Sequence, residues 1–127
     1  MSTTTKPYIV RHLDDVPGVP CPCGTSVRPL TRKDTEVANL YVTHIQDSAK
    51  HYHERSTEIY FIIEGSGTME LEDEQFELRP GLMLYIPPGV AHRGWGDFRT
   101  VIVGIPALDP GDEVVLNDKG QGLGVEG

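Results

Sequence analysis

Four side chains have the types and spacing to hold one metal ion: His51, His53, Glu58 and His92. His51 and His53 sit two apart in a strand-like segment. Side chains alternate along a strand, so both imidazoles are expected on one face, about 6–7 Å apart along the backbone, with Tyr52 turned away. Glu58 lies five residues beyond His53, which on one continuous strand would put it on the opposite face. A turn over residues 54–57 removes that conflict and makes His53 and Glu58 cross-strand neighbours, with Cβ atoms about 5 Å apart. His92 follows Pro87-Pro88-Gly89, a corner that turns its strand back toward the same interior. Three neutral imidazoles and one carboxylate suit one divalent transition metal (Mn, Fe, Ni, Co, Cu or Zn) and suit Ca or Mg poorly. With a divalent ion the set carries a net charge of +1, and four ligands on a six-coordinate ion leave two positions open. Such a centre favours a small anionic chelator. It can polarise a carbonyl as a Lewis acid or hold substrate beside dioxygen.

The elements that would position these residues are strands. The 14 glycines and 10 prolines punctuate the chain at the spacing of an all-β sandwich or barrel, and the runs between them favour Val, Ile, Tyr and Thr. Expected strands are 8–10, 26–30, 39–45, 49–53, 58–63, 68–72, 75–78, 82–86, 90–93 and 99–105. The clearest hairpin is 68–78, read with a turn at Asp73-Glu74 that sets Leu71 opposite Phe76 and Met69 opposite Leu78. Parity with Glu58 puts Tyr60 and Ile62 in the interior. Tyr41, Thr43 and Ile45 are expected on a facing strand, as are Val101 and Val103, and Trp95 is placed as a cap over the barrel mouth. Tyr41, Tyr60, Ile62 and Trp95 are thus the expected substrate-pocket residues. Arg28, Arg93 and Arg99 are candidates to hold a substrate carboxylate, but the more ordinary expectation for each is an exposed strand residue. No second acid or base emerges from the pattern, and no catalytic residue is assigned.

A chain of 127 residues fits one domain. The expected division is a single domain over 1–108, with its core motifs in 50–96, and a Gly-rich tail over 109–127 with little to pack. The net charge of −8, with no cluster of Lys and Arg, argues against nucleic acid and anionic membranes as partners. No apolar run is long enough to cross a bilayer, and Met1 to Pro7 lack the apolar core of a signal peptide, so a cytoplasmic protein is expected. Cys21 and Cys23 are too few for a closed zinc site, and a disulfide between them would be strained. Loop or edge thiols are the favoured reading. A redox-active or ligand-facing pair at the barrel mouth is the alternative. His12 and His44 are expected to be structural or exposed.

The arrangement resembles the cupin family. His51-x-His53-x4-Glu58-x6-Gly65 is similar to the first cupin motif, and Gly81-x5-Pro87-x-Gly89-x2-His92 to the second, with 15 residues between them. Ile45, Leu82 and Gly96 depart from positions where the family often has Gly, Asp and Asn, but no ligand position is lost. The resemblance implies a single cupin barrel (a double-stranded β-helix or jelly roll), a bound metal and a homodimer. It also implies either a metal-dependent enzyme, dioxygenase or isomerase/epimerase, acting on a small oxygenated carboxylate, keto or sugar-like metabolite, or a non-catalytic metal- or ligand-binding module or metabolite sensor.

Overall fold

The computed structural model describes residues 6–116 and the backbone of residues 122–125. Its strands are β1 (Gly18–Cys21), β2 (Gly24–Leu30), β3 (Asn39–Asp47), β4 (His51–His53), β5 (Thr57–Leu71), β6 (Glu74–Leu78), β7 (Met83–Ile86), β8 (His92–Ile105), β9 (Glu113–Leu116) and β10 (Gly122–Val125). Short 3-10 turns occupy Leu13–Asp15 and Pro110–Asp112. Among the described residues, no helix is long and apolar enough to cross a membrane. The strands form one curled sheet in the order β1-β2-β3-β8-β4-β9-β10, and β5 pairs the other edge of β8 and carries β6 and β7.

Two long strands set the curvature. β5 and β8 pair antiparallel from Thr57↔Ile105 to Leu71↔His92. The rungs holding Glu58 and His92 would lie about 40 Å apart on a flat ribbon, yet the two side chains approach within 3.0 Å. The ribbon therefore bends back on itself and curls the sheet into a half-barrel. Bending is concentrated at the irregularity between Ile62 and Glu64 and at Gly65 (φ 88°) and Gly96 (φ 129°), where backbones approach too closely for a side chain. A Cβ on Gly65 would run into the carbonyl oxygen of Asp97, and one on Gly96 would stand 2.6 Å from the Cα of Gly67. Position 96 is thus one that only glycine can occupy.

Alternation then sorts the faces. Glu58, Tyr60 and Ile62 turn inward, while Phe61 and Ile63 turn out. The core is Ile45, Tyr60, Ile62, Met69, Leu78, Leu84, Ile86, Phe98 and Ile102.

Several expected elements differ. Residues 8–10 form no strand, and Tyr8 and Val10 are well exposed. The hairpin turn is Glu72-Asp73, so Leu71 pairs with Glu74 and Met69 with Phe76. Glu72 supplies the turn with a positive φ of 55°. That register differs from the expected one by an even number of residues, which preserves the apolar face. The segments 90–93 and 99–105 are parts of one strand, β8. The expected tail also begins too early: β9 pairs β4 through His51↔Val115 and His53↔Glu113, and Asp112 is buried. Packing therefore continues through Leu116, because the outer edge of β4 needs a hydrogen-bonding partner. Residues 117–121 and 126–127 of that tail lie outside the described residues.

Gly65→Ala is expected to destabilise the protein by about 3 kcal/mol or more, since strain and a backbone clash act together. Gly81→Ala, also at positive φ (95°) but with open space around its Cβ, is expected to cost about 1 kcal/mol. Chemical denaturation of the two variants measures the difference; equal losses would contradict the close-approach role of Gly65.

Candidate metal centre

The four sequence-selected ligands converge. One donor atom from each of His51, His53, Glu58 and His92 lies within 4.8 Å of all the others, and His53, Glu58 and His92 are buried. They reach the centre from three directions. His51 and His53 project from β4, which is held by His51↔His92 on one side and by β9 on the other. His92 opens β8. Glu58 comes from β5, whose neighbours at that point are Ile86 and Gly104. His53 and Glu58 are therefore not cross-strand neighbours as expected: residues 54–56 carry the chain from one wall of the barrel to another, and the two side chains meet across the interior.

The ring orientations are fixed from behind. His51 Nδ1 donates to the carbonyl of Ala49 at 2.8 Å, and His92 Nδ1 donates to that of Val90 at 3.1 Å. With Nδ1 carrying the proton, each neutral ring presents an Nε2 lone pair to the centre. There, His92 Nε2 and His53 Nε2 stand 3.0 and 3.1 Å from the same oxygen, Glu58 Oε1. Among the described residues, neither His92 Nε2 nor Glu58 Oε1 has an aligned hydrogen-bond partner. Lone pairs facing one another in a buried site need a proton or a metal cation between them. Separations of this size match adjacent ligands at right angles around an ion with bonds of about 2.1 Å. The donor set fits a divalent transition metal.

Electrostatics point the same way. Burial alone would raise the Glu58 carboxyl, but the facing imidazoles of His53 and His92 outweigh it and hold it well below the usual carboxylate range. Burial, with His92 nearby, lowers His51 to about 4, so that ring is neutral and ready to ligate near neutral pH. Burial opposes protonation of His53 as well, yet Glu58 raises it above its ordinary value.

Two residues beside the cluster come from the segment read as a tail. Glu113 Oε1 lies 3.4 Å from His51 Nε2. Asp112 accepts from the backbone N–H groups of Arg55 (2.6 Å) and Ser56 (3.0 Å) and places Oδ2 3.9 Å from His53 Nδ1. Their signal in the sequence was the apolar run Val114-Val115-Leu116 after the Pro110-Gly111 turn, a strand-like pattern.

The cluster opens on a cavity of about 590 Å³, a size suited to a small organic ligand. Of the expected pocket residues, Tyr41 and Tyr60 line it. Ile62 does not; fully buried, it packs in the core. Trp95 points outward, three residues from inward-facing His92 and so on the opposite face, where Arg93 stacks on it at 5.0 Å. Val101 and Val103 also lie on the outer face, and Ile102 supplies the wall instead. Arg93 and Arg99 pair with Asp47 and Glu64 on the surface. Arg28 reaches the cavity. Cys21 and Cys23 are joined as a disulfide at the β1–β2 hairpin and line the cavity, in place of the separate thiols expected; the hairpin turn brings their Cα atoms to 5.3 Å, within bridging range. His44 contacts Asp97 and His12 caps the first 3-10 turn, both away from the cluster.

A curled β-barrel with a three-histidine, one-carboxylate cluster facing its interior defines a cupin-type site. Residues 42–103 match the family model described as Cupin domain. The chain superposes on a protein from Planctomyces limnophilus with a TM-score of 0.76 at 30% identity, covering 88% of this chain and 98% of that one. It superposes on an ectoine synthase from P. lautus with a TM-score of 0.70 at 25% identity, covering 80% of each chain. An uncharacterized protein of Methanocaldococcus jannaschii is 49% identical over 43 residues, a match spanning 34% of that protein's length. The chain belongs to the cupin family.

Asp112→Ala is expected to leave two N–H groups unpaired, the buried one of Ser56 and the part-buried one of Arg55, and to release the turn that follows His53. Stability should fall by about 2–4 kcal/mol and affinity for a divalent metal by about 10–100-fold. Thermal melts with and without metal read both quantities; wild-type values would show that the 109–116 segment is dispensable to the site.

Proposed function

We propose that this cupin is a metal-dependent enzyme acting on a small, anionic, oxygenated metabolite. His51, His53, Glu58 and His92 would hold one divalent transition ion. The observation that carries this reading is the buried, partnerless Glu58 Oε1 with two imidazole nitrogens aimed at it. When bound, such an ion supplies Lewis acidity to a carbonyl or a place for substrate beside dioxygen. Three neutral imidazoles and one carboxylate leave the loaded site at +1, which favours a carboxylate with a neighbouring keto or hydroxyl group.

The chain's own residues supply the rest. Glu113 borders both the cavity and His51, so its carboxylate is placed to hold or move a proton at the substrate. Tyr60, buried with its ring against His92 at 6.0 Å, shields the inner side of the site from water. Dioxygenase and isomerase/epimerase chemistry both fit these parts. A homodimer belongs to the same proposal. Phe61, Ile63, Met83, Tyr85 and Ile105 are all exposed on the outer face of β5, β7 and β8, with Phe61↔Met83 and Ile59↔Tyr85 as neighbours. Apolar patches of this kind mark protein contacts.

Elemental analysis of the purified protein should find about one transition ion per chain, and Glu58→Ala should lose it. Glu113→Gln should keep the ion and lose turnover. Substrate-dependent oxygen uptake would identify the dioxygenase; conversion without uptake, the isomerase. Tight ligand binding without turnover would replace the enzyme reading with a binding module, and a preference for a neutral sugar over oxalate or a 2-oxo acid would refute the charge argument. Light scattering should give twice the chain mass for the wild type and the single-chain mass for Phe61→Glu; a wild-type monomer would remove the dimer.

A further inference from the structure

The cavity contains a second recognition point. Arg28 lines it, and among the described residues no carboxylate lies within ion-pairing distance of its guanidinium. Of the other six arginines, Arg11, Arg32, Arg55, Arg93 and Arg99 each pair with an acidic side chain; Arg79 does not, but it does not line the cavity.

The guanidinium is held in place by neutral groups. Nε donates to Ser26 Oγ at 3.2 Å. Ser26 is buried and shares a 3.0 Å hydrogen bond with Thr43, its rung partner on β3. The flat face of the group stacks on Tyr41, with Cζ 4.5 Å from the ring centroid. The register of β2 on β3 breaks between Val27 and Leu30, and such a bulge re-aims the side chain it carries. Packing and a single hydrogen bond at Nε thus orient Arg28, while none from the described residues occupies its terminal nitrogens. Those two nitrogens present the planar fork that recognises a carboxylate or phosphate. Tyr41 links this point to the metal cluster: burial raises its phenol, while Arg28 pulls it down and Glu58 pushes it up, so both charges act on one ring.

We infer that Arg28 binds a second acidic group of the ligand, so that the substrate class is a dianion: a chelating 2-oxo or 2-hydroxy carboxylate at the metal and a remote carboxylate on Arg28. This rests on the metal-site reading above and narrows it. A mono-acid of equal length would keep the chelate and lose the ionic contact.

Calorimetric titration of the metal-loaded protein with unbranched 2-oxo diacids of increasing length, each against the 2-oxo mono-acid of the same length, tests it. The expected result is a gain of about tenfold or more for at least one diacid over its mono-acid partner. Arg28→Met should erase that gain, leave mono-acid affinity within about twofold and retain the metal; Arg28→Lys should restore part of the gain. If mono-acids bind and no diacid gains, or if the gain survives in Arg28→Met, the inference is overturned while the metal site stands. If mono-acids fail to bind the loaded protein, the chelate reading falls and this inference with it.

Discussion

A buried carboxylate oxygen with two imidazole nitrogens aimed at it is the constraint around which this molecule is organised. Left alone it is unfavourable, because buried polar atoms without partners cost free energy and like partial charges are forced together. A proton resolves it in part, which is why Glu58 pulls His53 above its ordinary value while itself staying ionised. A divalent ion would resolve it fully, satisfying four donors at once. The site stays poised because each ring is fixed from outside: Ala49 and Val90 carbonyls hold the His51 and His92 tautomers, and Asp112 stands behind His53.

Holding that arrangement requires a sheet that bends back on itself. No local segment contains the whole site: the histidines lie on β4 and at the start of β8, and the carboxylate lies near the start of β5. Only the curvature of the β5–β8 ribbon brings Glu58 and His92 together. Glycines at positions 65 and 96 make that curvature possible by letting backbones touch. The apolar core beneath, with Ile62 and Phe98 almost fully buried, contributes about 1.5–3 kcal/mol per large side chain, which offsets the cost of lining one end of the barrel with polar groups. Ile45, Tyr60, Met69 and Ile102 belong to both regions, so the site's inner wall is the core's outer layer.

The cluster of His51, His53, Glu58 and His92 is legible in the sequence because it depends on residue type and spacing, and the spacing survives whatever the pairing. Its construction is less so. A turn after His53 suggested a hairpin to Glu58, whereas the chain crosses to another wall; local parity cannot tell a hairpin from a crossover. Trp95 follows His92 closely in sequence, but alternation along β8, not proximity, sets its face. Glu113 and Asp112 were missed because Gly and Pro around them resemble a tail, and only the unpaired edge of β4, a tertiary feature, gives that segment a place. Whether Cys21 and Cys23 join depends on the geometry of a hairpin turn, which residue types alone do not set.

X-ray absorption at the metal edge, on protein loaded with a single ion, addresses the arrangement most directly. The expected spectrum has a first shell of nitrogen and oxygen at about 2.1 Å, with outer-shell scattering from three imidazoles, reduced to two in His53→Ala. A spectrum with no more imidazole scattering than the hydrated ion, or one unchanged by His53→Ala, would contradict it.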